Sequence, residues 1–200
     1  MLKIVNAPAP VLTQKVRPVA KVDKKIQKLV YDMEETLITQ VDPQGVGLAA
    51  PQVGVDLAIF IIKPTLKANT QVFINPKIVQ MGGPGGGAPR HARNSPNGEE
   101  HWRGGELGQD PSEQEESDDV KLEGCLSIPR VWGPVERSTK VQVEYQDLTG
   151  ERHVEWFKGF KAVIIQHEVD HLHGVLFTER VLEQKGKLYE EKDGELHAIS

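Results

Sequence analysis

Residues 166–174 read Gln-His-Glu-Val-Asp-His-Leu-His-Gly, and the spacing His167-Glu168-x-x-His171 decides how the rest of the chain is read. On a helix, residues four apart stand one turn apart on one face, so His167 and His171 can grip one ion from the same side. Glu168 then lies about 100° round the helix from His167 and about 60° from His171. Its carboxylate can reach water held by that ion without being a ligand, which is the arrangement of a metal-dependent hydrolase. Two exposed histidines on an ordinary amphipathic helix would give the same short pattern. The flanks favour a buried helix: Phe160, Val163, Ile164, His167, His171 and Gly174 share one stripe at helical spacing, so the histidine face continues into an apolar one.

Working outward, the segment before this helix alternates cleanly. Lys140-Val-Gln-Val-Glu-Tyr145, the turn Asp147-Leu-Thr-Gly150 and a returning strand from Val154 to Trp156 predict a hairpin leading into a helix from about Lys158. Leu57-Ala-Ile-Phe-Ile-Ile62 is a continuous apolar run stopped by Pro64 and predicts a buried strand. Gln71-Val-Phe-Ile-Asn-Pro76 predicts another, with Lys77–Gln80 extending it beyond the proline. Asp23 is a helix N-cap, followed by Ile26, Leu29, Val30, Met33 and Leu37 at helical spacing, so an amphipathic helix is expected from about Lys24 to Thr39. Asp42-Pro43 ends that unit with a turn. Residues 5–18, with Pro8, Pro10 and Pro18, read as an irregular N-terminal arm. The chain after Arg180 reads as a polar tail, partly helical at best.

Residues 82–119 break the pattern. Glycines crowd residues 82–87, apolar periodicity is lost, and an acidic run occupies 113–119. The segment holds nine acidic residues against three arginines, so it carries essentially all of the chain's net charge of −5. A stretch of this length and composition inside a compact domain is expected to be a solvated insertion, or a docking segment for a basic partner. The remainder is close to neutral and shows no clustered basic face of the kind that nucleic acid needs.

At 200 residues with 38% hydrophobic and 26% charged residues, the chain is long enough for one domain with a sizeable core. No apolar run approaches bilayer length, and Met1–Asn6 lacks the h-region of a signal peptide, so a cytoplasmic location is expected. The single cysteine, Cys125, excludes an internal disulfide. By itself a lone cysteine is a small buried hydrophobe or a ligand. It lies in Leu122-Glu-Gly-Cys-Leu-Ser-Ile-Pro129, which as an extended stretch could bring a thiolate to the histidines. A Cys/His/His set with an open position suits iron(II) or zinc. The small-residue loop Gly45-Val-Gly-Leu-Ala-Ala-Pro-Gln52 permits close approach of a ligand or of another backbone. Gln52 offers a neutral donor to an oxyanion.

These segments together resemble the peptide deformylase family, whose motifs are a Gly-x-Gly-x-Ala-Ala-Pro/Thr-Gln loop, Glu-Gly-Cys-Leu-Ser, and Gln-His-Glu-x-Asp-His on a helix. They stand here, in order, at residues 45–52, 123–127 and 166–171. The resemblance covers residues 1–80 and 120–180 and omits the acidic insertion, where family members have a far shorter connection. It implies an α+β fold, with mixed or antiparallel sheets packed around a central histidine-bearing helix and an N-terminal helix. The domain would span residues 1–180, with 82–119 inserted and 181–200 as a tail.

The resemblance also implies roles. Cys125, His167 and His171 would bind one divalent metal ion, iron(II) in most bacterial members, with zinc, nickel or cobalt able to replace it. Glu168 would be the general base and later the acid, and Gln52 with the backbone N–H of Leu126 would hold the oxyanion. The reaction would be hydrolysis of the formyl group from the formyl-methionine end of new polypeptides, at the ribosome and by a monomer. Val46, Gly47, Glu123, Gly124, Phe160, Val163 and Ile164 are the expected substrate-binding residues. The apolar stripe, with Val46 across the cleft, would lodge the methionine side chain. Asp170 would pair with Arg137. This chain departs from many members at Arg130, where a glutamate is usual, so residues 130–133 would shape the cleft rim differently. Two other readings compete: a zinc peptidase, for which Cys125 would be an unusual ligand, and a degenerate homologue that binds a peptide without turnover.

Overall fold

A computed structural model describes residues 1–41, 44–82 and 122–199. The turn expected at Asp42-Pro43 and nearly all of the 82–119 insertion lie outside the described residues. Helix α1 (Lys24–Ile38) starts as expected at Asp23, whose carboxylate accepts from the Lys25 and Ile26 amides at 2.9 and 3.1 Å. Strands β1 (Gly47–Ala49), β2 (Ile59–Ile62), β3 (Gln71–Gly82), β6 (Lys140–Gln146) and β7 (Arg152–Lys158) form one antiparallel sheet in the order β1-β2-β3-β6-β7. Strands β4 (Leu122–Cys125) and β5 (Ile128–Pro134) begin a second sheet. Helix α2 (Gly159–Leu172) carries the histidines, and α3 (Phe177–Glu183) follows it.

The continuous apolar run of β2 is explained by cover on both faces. Ile59 and Ile61 pack with Ile26, Val30, Met33 and Leu37 of α1, whereas Phe60 and Ile62 pack with Ala162, Ile165 and Val169 of α2. Period-two alternation then sorts one hydrophobic run between two helices. Phe60 stacks on Phe73 at 4.6 Å, and Phe73 meets Phe157 edge-on at 5.5 Å, so an aromatic row underlies α2. Helix α2 is buried on almost every side, so it carries little amphipathic character.

The stretch after Arg180 corrects the sequence reading. Residues beyond α3 form β8 (Leu188–Lys192) and β9 (Glu195–Ile199), and β8 pairs with β5 to complete a second sheet in the order β4-β5-β8-β9. The signal was present in the sequence. Asp193 and Gly194 both have positive φ, 54° and 81°, and join Lys192 to Glu195 as a two-residue hairpin of the Asp-Gly kind. The strands are too polar to announce themselves by hydrophobicity, because one face of this small sheet is not buried. Its other face packs Cys125, Val135, Phe177 and Val181 together with Ile128, Val131 and Leu188.

The N-terminal arm is irregular, as expected, but it is pinned. The Val5 amide donates to the Gln52 carbonyl at 2.8 Å and that of Ala7 to the Ser127 carbonyl at 2.9 Å. The arm thus ties the turn after β1 to the turn after β4, and these are the two turns that flank the histidine helix.

Candidate metal centre

The two histidines are one turn apart on α2, with ring centroids 5.0 Å apart. Strand β4 ends at Cys125 and delivers its Sγ to 3.2 Å from His171 Nε2. Ligand atoms of Cys125, His167 and His171 all lie within 4.8 Å of one another. Tertiary structure has therefore joined a strand end to a helix face forty-odd residues later, which no local motif announced. Burial alone would raise the Cys125 thiol, but the neighbouring imidazoles more than offset it and hold it well below its ordinary value.

His167 is oriented from behind. Its Nδ1 lies 3.1 Å from Glu123 Oε2, which leaves Nε2 as the nitrogen that could hold a metal. Glu123 is in turn gripped by Arg137, with Nε–Oε1 2.8 Å and Nη2–Oε2 2.9 Å. Burial would raise the Glu123 carboxyl, yet Arg137 and His167 bring it down to about 2. Arg137 Nη1 also donates to Asp170 Oδ2 at 2.6 Å, as the resemblance implied. Arg180 of α3, which the sequence reading missed, grips the same carboxylate through Nε at 3.1 Å and Nη2 at 2.6 Å. Nothing local in the sequence marks Arg180, since its role exists only where α3 folds back on α2.

Glu168 is 3% exposed, and its Oε2 has no hydrogen-bond partner among the described residues. Burial pushes its carboxyl up to about 7, against the pull of both histidines. Gly47 explains how it fits: a Cβ there would lie 2.9 Å from both Glu168 Cδ and Ile164 Cγ2. Gln52 is 1% exposed in the 3-10 turn Ala50–Val53. Its Oε1 accepts from the Ala49 amide at 2.8 Å, which fixes the amide plane and turns Nε2 to 3.4 Å from Cys125 Sγ. Leu126 occupies the turn directly after Cys125.

Of the expected pocket residues, Val46 and Phe160 are half-buried against one cluster and Ile164 is buried under Gly47. Val163 is half-buried on the same helix. Glu123 behaves differently: its carboxylate is committed to Arg137 and His167, so any contact with a substrate falls to its backbone. A second ionisable trio, Asp147, Glu151 and His153, caps the β6–β7 turn. There Asp147 accepts from Thr149 N, Thr149 Oγ1 and Glu151 N, which is the work of a turn.

A family model described as polypeptide deformylase matches residues 1–187. The chain belongs to that family. A peptide deformylase of Desulfotalea psychrophila is 33% identical over 196 residues, covering 96% of this chain and 94% of that one. Peptide deformylase 1 of Bacillus cereus is 35% identical over 193 residues, covering 96% and 97%. Among solved structures, the Thermotoga maritima peptide deformylase superposes with a TM-score of 0.66 at 33% identity, covering 90% of this chain and 97% of its own. The Synechococcus elongatus peptide deformylase, solved in complex with actinonin, gives 0.68 at 33%, covering 92% and 84%. The chain is thus an enzyme of the peptide deformylase family with an α+β fold. Neither the peptidase reading nor the reading as a homologue without turnover finds support in these relatives.

Proposed function

We propose that this deformylase removes the formyl group from formyl-methionyl polypeptides at the centre formed by Cys125, His167, His171, Glu168 and Gln52. One observation carries the assignment of roles. A buried Glu168 carboxylate with an unpartnered oxygen stands beside a Cys/His/His donor set whose atoms lie within 4.8 Å of one another. A buried polar oxygen left alone is costly, so its retention points to a partner supplied by the reaction.

The donor set fits a divalent cation with soft and borderline ligands, and iron(II) is the ion we assign. Bound by Cys125, His167 and His171, such an ion supplies Lewis acidity that activates water and polarises the formyl carbonyl. Glu168 takes the proton from the attacking water and delivers it to the departing amine. Gln52 Nε2 and the Leu126 amide donate to the formyl oxygen as negative charge develops there. The Glu123–Arg137 pair holds the His167 ring so that its free nitrogen keeps one direction.

Strand β1 and strand β4 each end their sheet, so the site is bordered by two main-chain edges. An extended peptide lying between them would be recognised through its backbone, with Gly47 and Gly124 offering no side-chain bulk. The methionine side chain would then lodge against Val46, Phe160, Val163 and Ile164. We assign the activity to a monomer acting in the cytoplasm on chains emerging from the ribosome. Among the described residues, no helix is long and apolar enough to cross a membrane.

The test is formate release from formyl-Met-Ala-Ser by anaerobically purified protein, with metal content measured on the same sample. Glu168→Ala should keep its metal and lose nearly all turnover. Retained turnover in that variant would sink the role given to Glu168.

A further inference from the structure

We propose that Trp132 is a specificity-determining residue for the substrate position after formyl-methionine, and that Glu191 of the C-terminal hairpin positions it. The inference rests on the deformylase reading above. Trp132 lies directly opposite Gly124 across the β4–β5 pair, so the two point to the same face of the small sheet. Glu123 and Cys125, the flanking residues, point to the other face, toward the metal centre.

The indole occupies the space that Gly124 leaves open. A Cβ at 124 would lie 2.7 Å from Trp132 Cζ3, 2.8 Å from Cε3 and 3.2 Å from Cη2. The opposite edge of the same ring is tethered, since Trp132 Nε1 donates to Glu191 Oε2 at 3.1 Å. Glu191 belongs to β8, on the far side of β5 from β4. The ring therefore lies across the sheet, its five-membered end held by β8 and its six-membered end over Gly124.

Strand β4 ends its sheet, and its outer edge is where a peptide strand would add. In such a strand, side chains alternate between the two faces. With the methionine side chain turned toward Ile164 and Phe160, the next side chain falls on the Gly124 face, beside the indole. A flat, half-buried aromatic surface there favours aromatic and large aliphatic side chains over small ones. The family model stops at residue 187, so the strand that holds the ring lies beyond the residues it matches.

The experiment uses the full-length, metal-loaded protein and two peptides, formyl-Met-Phe-Ser and formyl-Met-Ala-Ser. Wild type should prefer the Phe peptide in kcat/KM. Trp132→Ala should cut the Phe-to-Ala ratio about tenfold, the order expected for one lost aromatic contact. Glu191→Leu should lower the ratio in the same direction, whereas Glu191→Gln, whose amide oxygen still accepts from the indole, should retain it. Calorimetric affinities for the products Met-Phe-Ser and Met-Ala-Ser should shift in parallel, and thermal melts separate these effects from loss of fold. Should Trp132→Ala not fold, the Glu191 pair decides the matter. A ratio that stays at the wild-type value in Trp132→Ala, or in Glu191→Leu where only that pair folds, would overturn the platform and leave the deformylase reading standing. Failure of wild type to release formate from either peptide would overturn both.

Discussion

Gly47 lies directly against the carboxylate of Glu168: a Cβ at position 47 would come within 2.9 Å of its Cδ. Gly47 sits in a regular strand, so alanine is acceptable to the backbone and the clash is purely steric. Gly47→Ala should therefore displace Glu168 without touching a ligand. Metal stoichiometry should match wild type while kcat falls on the order of a hundredfold, as small displacements of catalytic groups do. A kcat within about twofold of wild type would show that the carboxylate has room to move.

Arg137 is 7% exposed at its side chain and serves two buried carboxylates, Glu123 and Asp170. Removing it leaves Glu123 with His167 alone and Asp170 with Arg180 alone. Arg137→Ala should lower unfolding free energy by about 3–5 kcal/mol, because uncompensated buried charge is more costly than the pair is stabilising. Metal affinity should fall about 10–100-fold as His167 loses its fixed orientation. Arg137→Lys should recover only part, since an ammonium cannot reproduce the two-pronged grip. Denaturant titration and metal competition measure the two effects separately.

His153 gives a pH dependence remote from the metal centre. Its hydrogen bond to Asp147, Nε2–Oδ2 2.9 Å, raises its pKa above the ordinary histidine value. The stabilisation is fully present below the unfolded-state pKa and is lost as pH rises through the higher folded one. Asp147→Asn keeps an acceptor for the turn but removes the charge. The ring-proton NMR titration of His153 should then move down toward about 6.5. The stability advantage of wild type over the variant should be larger at about pH 6 than at about pH 9. Equal titration midpoints in the two proteins would refute the pairing.

The composition of residues 82–119 predicts that they are inserted into the domain and separable from its folding. Replacing them with a short flexible linker should leave the circular dichroism spectrum and a cooperative melt intact, because loop length enters stability only logarithmically. A chain that no longer folds would place the segment in the core.

How much was legible depends on the range of the interaction. The helix carrying His167, Glu168 and His171, the Asp23 cap and the β6–β7 hairpin each rest on contacts between near neighbours in sequence, whereas the β2 run is legible from its continuous apolar composition although its cover comes from α1 and α2. Periodicity and turn chemistry are enough to read them. The Asp193-Gly194 turn belonged to this class and could have been read, but Leu188–Lys192 and Glu195–Ile199 are too polar to look like strands before β5 is placed beside them. The resemblance of three motifs assigned Cys125, Gln52 and the Arg137–Asp170 pair. Residue spacing by itself could not, since Gln52 and Cys125 are 73 positions apart and Cys125 and His171 are 46 apart.

The sequence by itself thus determined which element holds the histidines and which groups are the candidates for the chemistry, because helical geometry converts a four-residue spacing into one face. Only the tertiary structure decided that Glu123 orients His167, that Arg180 shares Asp170 with Arg137, and that Trp132 lies over Gly124 under the hold of Glu191. Glu123–His167 and Trp132–Glu191 join elements distant in the chain, and Arg180 meets Asp170, ten residues earlier, only because α3 folds back on α2. Their physical basis is burial, which leaves every charge and every ring to find its partner wherever the packing brings one.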